Sequence, residues 1–180
     1  LSSIIVFFLG ILTAYWSRKL PRAAKGALDV ILTLPLVLPP TVVGYFLLLL
    51  FGLKRPFGMF LAEHGIRFVM TWYGGIIAAS AVSFPLMYRT ARGAFESFNW
   101  DYAHAASTLG LSRIWIFWRI ILPGCRSGII AGAVLAFARA LGEYGATSML
   151  IGYTPKRTAT ISTTVYQLWR TGDDKGAFFW

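Results

Sequence analysis

Apolar and polar residues fall along this chain in long blocks. Residues 1–16 are apolar and close on Tyr15-Trp16, an aromatic pair suited to a membrane–water boundary. Residues 17–27 carry Arg18, Lys19, Arg22 and Lys25 and read as a basic loop. A long apolar run, 28–53, contains Pro35, Pro39 and Pro40. Residues 54–68 make a polar connection, and 69–88 form an apolar run that Pro85 is expected to break. Residues 89–122 mix charges with aromatics, 123–142 are apolar again, and 143–153 are apolar but Gly-rich. The polar stretch 154–175 then gives way to an apolar start near residue 176. A spanning helix needs about 20 apolar residues. The pattern therefore predicts an all-α, polytopic transmembrane bundle in one domain, 1–180, with spans near 1–16, 28–53, 69–88 and 123–142. Both terminal helices are expected to be truncated. A signal peptide fits residues 1–16 poorly, because no basic segment precedes them and no cleavage site follows.

Composition agrees. The 180 residues are 57% hydrophobic and 13% charged, against about 25% charged in a soluble domain. Mean hydropathy is +0.63. The net charge of +10 would suit a nucleic-acid partner, but the basic residues lie between apolar runs, where they read as membrane flanks. No nucleic acid is expected. The lone Cys125 excludes an internal disulfide and a Cys-based metal cluster, and reads as a small buried residue. No metal site and no bound cofactor is expected. No G-x-x-x-x-G-K-[ST] phosphate loop is present, so the chain is not expected to bind ATP by that motif. His64 and His104 are isolated, and His64 reads as a loop residue.

Three features carry mechanism. The first is His104-Ala105-Ala106-Ser107-Thr108-Leu109-Gly110, followed after nine residues by Ile120-Ile121-Leu122-Pro123. In this mixed segment Gly110 suits a left-handed turn at a helix end, Pro123 suits the first turn of the next helix, and Ala105-Ala106 leave room for another protein. The second is Leu38-Pro39-Pro40-Thr41-Val42-Val43-Gly44-Tyr45, echoed more weakly by Ser83-Phe84-Pro85. Two prolines break the helical ladder, and broken backbone at membrane depth needs protein or a cavity around it. Such breaks often sit on substrate paths. Pro39, Pro40, Thr41, Gly44 and Ser83 are thus candidates for a pore or gate, with a simple kink as the alternative. The third is Arg139 and Glu143, four apart near a span end. Intramembrane charges pair or face a water path, so these two are expected to line or brace the outer part of such a path, or to form a structural pair. Gly124, Gly128 and Gly132, continued by Ala136 and Ala140, form a small-residue stripe for close helix packing, within the bundle or at a dimer contact.

The spacing around Gly110 is similar to the loop with which permeases of bacterial ABC importers grip their ATPase. That loop reads Glu-Ala-Ala, three residues, Gly, nine residues, Ile-x-Leu-Pro; His104 stands here in place of the Glu. The Leu34–Tyr45 stretch and Leu135–Thr147, with its Gly-Glu-Tyr-Gly-Ala core, resemble the sulfate/molybdate permease group, and the first leans towards molybdate. The resemblance implies an ABC importer permease with a cytoplasmic coupling segment, 89–122, in a bacterial or archaeal plasma membrane. Its partners would be a second permease copy, cytoplasmic ATPase subunits that use the ATP, an external binding protein, and membrane lipid. The cargo would be molybdate or tungstate. By motif position His104, Ala105, Ala106, Gly110, Ile120, Leu122 and Pro123 would form the coupling element. His104 puts any acidic contact with the ATPase in doubt but leaves the loop's shape to Gly110 and Pro123.

Charge alone orients the bundle weakly: nine Lys/Arg lie in 17–27 and 89–126, against seven on the other side. The resemblance places the nine inside. A sulfate or thiosulfate permease is the near alternative. A membrane enzyme would need an intramembrane nucleophile or metal cluster, and neither is present; a passive channel would not need the ATPase-docking spacing.

Overall fold

A computed structural model describes all 180 residues, and every element in it is helical. Helix α1 (Ser2–Ser17) is followed by α2 (Arg22–Val37), α3 (Pro40–Phe51), a short α4 (Pro56–Glu63) and the long α5 (Trp72–Ser97). Next come α6 (Asp101–Thr108), α7 (Arg113–Ile116), a π-type turn (Phe117–Ile121) and the three-residue α8 (Leu122–Gly124). Then α9 (Arg126–Leu141), α10 (Gly145–Ile151), α11 (Ile161–Arg170) and α12 (Asp174–Phe179) complete the chain.

Several boundaries differ from the block pattern. The basic segment 17–27 is mostly helix, because Ala23, Ala24 and Ala27 favour one and Pro21 sits just before its first turn. The polar connection 54–68 contains α4. Residues 28–53 form no straight span: α2 and α3 meet at 114° across Leu38-Pro39. Conversely α5 runs unbroken through Pro85 and nine residues past residue 88. Pro85 is buried between packed neighbours, and that packing outweighs one lost backbone bond. Pro123 does not open the long helix; it lies in α8, which meets α9 at 75°. Since Pro123 cannot donate to the carbonyl four residues back and crowds it, the preceding turn widens into the π form. No single helix is both long and apolar enough to cross a membrane, but the bent pairs α2–α3 and Arg113–Gly124 with α9 are when taken together.

Helix α5 is the central post, flanked by α1 and α9. The small-residue stripe explains the close approach. A Cβ on Gly128 would lie 2.6 Å from the Ala94 Cβ, and one on Gly132 would lie 3.1 Å from the Thr90 Cβ. At Gly124 the Phe98 ring takes the space. The stripe therefore packs inside the bundle. One core joins α1, α5 and α9 through Val6, Ala14, Met87, Tyr88, Phe95 and Ile129. A second joins α3, α5 and α10 through Val43, Ala78, Val82, Ala146 and Leu150. Large apolar side chains such as Val37, Ile130, Val134 and Phe137 point outward, as they do when lipid or another helix is the neighbour. Cys125 is buried, its Sγ 3.4 Å from the Ala94 carbonyl oxygen.

Candidate functional site

Two regions gather the candidate residues, one at each end of α9. At the basic end, α5 stops at Ser97 and Asn99 Oδ1 accepts the Asp101 amide at 2.9 Å to start α6. Helix α6 ends as the sequence predicts: Gly110 has φ +79°, its amide donates to Ser107 O at 3.1 Å, and the Leu111 amide donates to Ala106 O at 3.3 Å. This double bond pattern closes the helix around a left-handed residue. Ser112 Oγ then accepts the Trp115 amide and caps α7.

The alanine pair is split. Ala106, with Ala103, is buried and packs with Phe95, Ile116 and Ile121, so its small size serves the bundle's own packing. Ala105 and His104 face outward. Ile120 and Leu122 are half-buried and Pro123 is exposed. Leu109 (80% exposed), Ile114 (74%) and Tyr102 (64%) present bare apolar surface around the Gly110 turn. The motif did not single them out; unpaired large apolar residues beside a polar turn are the signal that could have found them. The segment is pinned from below. The Arg18 guanidinium lies 3.2 Å over the Trp100 ring, Trp100 Nε1 donates to Phe95 O at 3.1 Å, and Tyr15 meets Phe117 edge-on at 4.9 Å.

Beside this platform lies a charge network that linear spacing did not reveal. Lys25 and Asp29 on α2 face Tyr88, Arg92 and Glu96 on α5. Lys25 pairs with Glu96, Arg92 pairs with both Asp29 and Glu96, and Tyr88 OH donates to Asp29 Oδ1 at 2.6 Å. The partners are 59 to 71 residues apart, apart from the local Arg92–Glu96 pair. The only sequence signal was one carboxylate, Asp29, opening an apolar run. Glu96, past the apolar part of α5, is held below the usual carboxylate range by its hydrogen bond from Lys25, aided by Arg92 and opposed by burial. Both basic stretches of the chain thus lie at one end of the bundle.

At the opposite end the two helix breaks meet. A Cβ on Gly145 would lie 2.9 Å from the Pro40 Cβ and 3.0 Å from the Thr41 nitrogen. One on Gly44 would lie 2.7 Å from the Ala146 Cα. The Pro39-Pro40-Thr41 break and the Gly142–Gly145 break therefore touch, backbone against backbone. Glu143 sits at the junction, 2% exposed; Oε1 accepts the Ala146 amide at 2.7 Å, and Oε2 pairs with Arg139 at 2.8 Å. The carboxylate satisfies an orphan amide of α10, which is what a helix start needs. Thr41 is exposed. Ser83 is buried within α5 and donates to Ala79 O at 2.7 Å, so its hydroxyl is engaged by its own helix. No group of three His, Cys, Asp or Glu residues is placed to hold a metal ion.

Residues 7–171 match the family described as binding-protein-dependent transport system inner membrane component. The chain is 44% identical to the molybdenum transport system permease protein ModB of Escherichia coli K12, over 98% of this chain and 79% of that protein. It is 36% identical to the ModB of Haemophilus influenzae, over 91% of this chain and 72% of that one. A sulfate transport system permease protein, CysT of Salmonella typhimurium, is 33% identical over 92% of this chain and 60% of its own length. Among solved structures, a bacterial ABC transporter that imports alginate superposes with a TM-score of 0.62 at 19% identity, covering 98% of this chain and 68% of that one. At that identity the likeness speaks for the fold.

Proposed function

The chain belongs to the binding-protein-dependent transport system inner membrane components, and from that premise we propose that it is the pore-forming permease of an ATP-driven molybdate importer. It is a transport subunit of an ABC importer and not itself the catalyst. An ATPase and a substrate-binding protein are its partners, as the family implies. The observation that carries the substrate is the 44% identity over 98% of the chain to a molybdenum permease, against 33% to a sulfate permease.

The geometry supports a division of labour. The α6–α7 platform, with Leu109, Ile114 and Tyr102 bare around the left-handed Gly110 turn, would offer the ATPase an apolar grip. ATP-driven closure of paired ATPases would push this platform. Because Ala106, Ile116 and Ile121 are buried in the α1/α5/α9 core, the push would pass into the bundle. At the far end the touching breaks of α2–α3 and α9–α10, braced by Glu143 and Arg139, would widen or narrow an anion path between two permease copies. The Thr41 amide, left without a backbone partner by the break, would suit an oxyanion.

The test is ATPase activity of the full-length permease reconstituted with its ATPase and binding protein. Stimulation by molybdate and tungstate but not by sulfate is expected. Stimulation by sulfate alone would reassign the cargo.

A further inference from the structure

A crevice opens between the end of α1 and the α6–α7 platform. It is floored by Trp100 and lined by Arg18, Lys19, His104, Ser107 and Arg113, with no carboxylate on its walls. None of the ion pairs in the structure engages Arg18, Lys19 or Arg113. The Arg18 Nε is buried without a hydrogen-bond partner, although the guanidinium stacks on Trp100. A buried donor left unpaired costs free energy, which an acceptor recovers only when Arg18 shifts to expose its Nε. A stacked, pre-oriented guanidinium is also the side chain best shaped to take a carboxylate through two parallel bonds.

We propose that this crevice is a socket for an acidic side chain, Asp or Glu, of the cytoplasmic ATPase subunit. The inference rests on the permease reading above. Two observations favour the ATPase over a lipid headgroup. His104 and Ser107 belong to α6 and Arg113 to α7, the same helix–turn–helix that presents the bare Leu109 and Ile114. The Arg18 guanidinium is also held against the Trp100 and Tyr15 rings, a fixed charge suited to a side chain of a docked protein. The socket reverses the polarity that an acidic residue at position 104 would give the platform. The permease supplies the cations and the ATPase the anion.

Lys19 makes the test direct, because a zero-length carbodiimide joins an amine to a carboxylate only when the two touch. The assembled full-length permease–ATPase complex is treated with the carbodiimide and the joined peptides are mapped. The expected product links Lys19 to an Asp or Glu of the ATPase. Lys19→Arg abolishes that product while the complex still assembles. Arg113→Glu weakens ATPase association tenfold or more, and reversing the mapped ATPase carboxylate to Arg restores it. A complex that forms without the Lys19 product and tolerates Arg113→Glu overturns the socket but leaves the permease reading intact. So does a dependence of the Arg113→Glu defect on anionic lipid in the vesicles, which would assign the crevice to a headgroup. Failure of the unaltered chain to bind any ATPase overturns both.

Discussion

The Glu143 carboxylate accepts the Ala146 amide at 2.7 Å, so an acid at the end of one helix caps the start of the next. Its other oxygen holds Arg139. The two contacts respond differently to substitution. Glu143→Gln keeps an acceptor for the Ala146 amide and loses the ion pair. It is expected to assemble with the ATPase but transport poorly, read as uptake per assembled complex. Glu143→Ala removes both contacts inside a buried site and should destabilise by about 1–3 kcal/mol. Its thermal midpoint in detergent should fall below that of the Gln variant; equal midpoints would show that the cap contributes nothing.

Gly110 has φ +79° with nothing within 4 Å of an added Cβ, so strain rather than collision is the test at this site. Gly110→Val should cost about 1–2 kcal/mol in the turn. The bundle should remain folded while anion-stimulated ATPase activity drops, since the platform proposed to transmit the push is distorted. Normal stimulation would mean that the turn adopts another shape at no cost.

Glycines along α9 and α5 should divide by what surrounds them. Gly128→Leu drives a side chain into Ala94 and is expected to destabilise by about 1–3 kcal/mol. Gly93→Ala meets open space in mid-helix and should be neutral or stabilising by about 0.5–1 kcal/mol. Thermal melts of the two variants in one detergent compare them directly.

The touching breaks predict a transport phenotype. Gly44→Val forces the α3 backbone away from Ala146, which lies 2.7 Å from even the first added carbon. Uptake should fall with ATPase association retained, because the platform is at the other end of α9. Loss of association would mean that this contact governs the whole fold.

The α2–α5 network gives a pH signature. The Glu96 pKa is depressed in the folded protein, chiefly by Lys25. Its contribution is therefore present above the ordinary carboxylate range and is lost as pH falls through the depressed value. Lys25→Met removes the largest cause and brings the folded pKa back towards the unfolded one, so the variant loses this contribution at neutral pH and its acid limb should become shallower. A plot of melting temperature against pH that keeps its acid limb unchanged would show that Lys25 does not hold Glu96.

Much of this was legible in the residues themselves. Long apolar blocks dictated an all-helical bundle, because buried or lipid-facing backbone must satisfy its own hydrogen bonds. Gly110 was readable as a helix end because only glycine enters the left-handed region cheaply, and Pro39-Pro40 was readable as a break because proline lacks the amide a helix requires. Each of these is a local constraint, set within a few residues. The helix through Pro85 escaped the same rule, since Pro85 is held by α5's packing against its neighbours rather than by its own propensity.

Tertiary structure alone decided the rest. It brought Gly44 to Ala146 and Gly145 to Pro40, so that two separate breaks became one junction. Packing turned Ala106 inward and Ala105 outward, and left Leu109 and Ile114 bare. It set Lys25 against Glu96 and placed Arg18 under the platform. These are pairings between residues tens of positions apart. Their energies arise from contact, burial and charge at short range, which have no periodicity along the chain for a linear reading to detect.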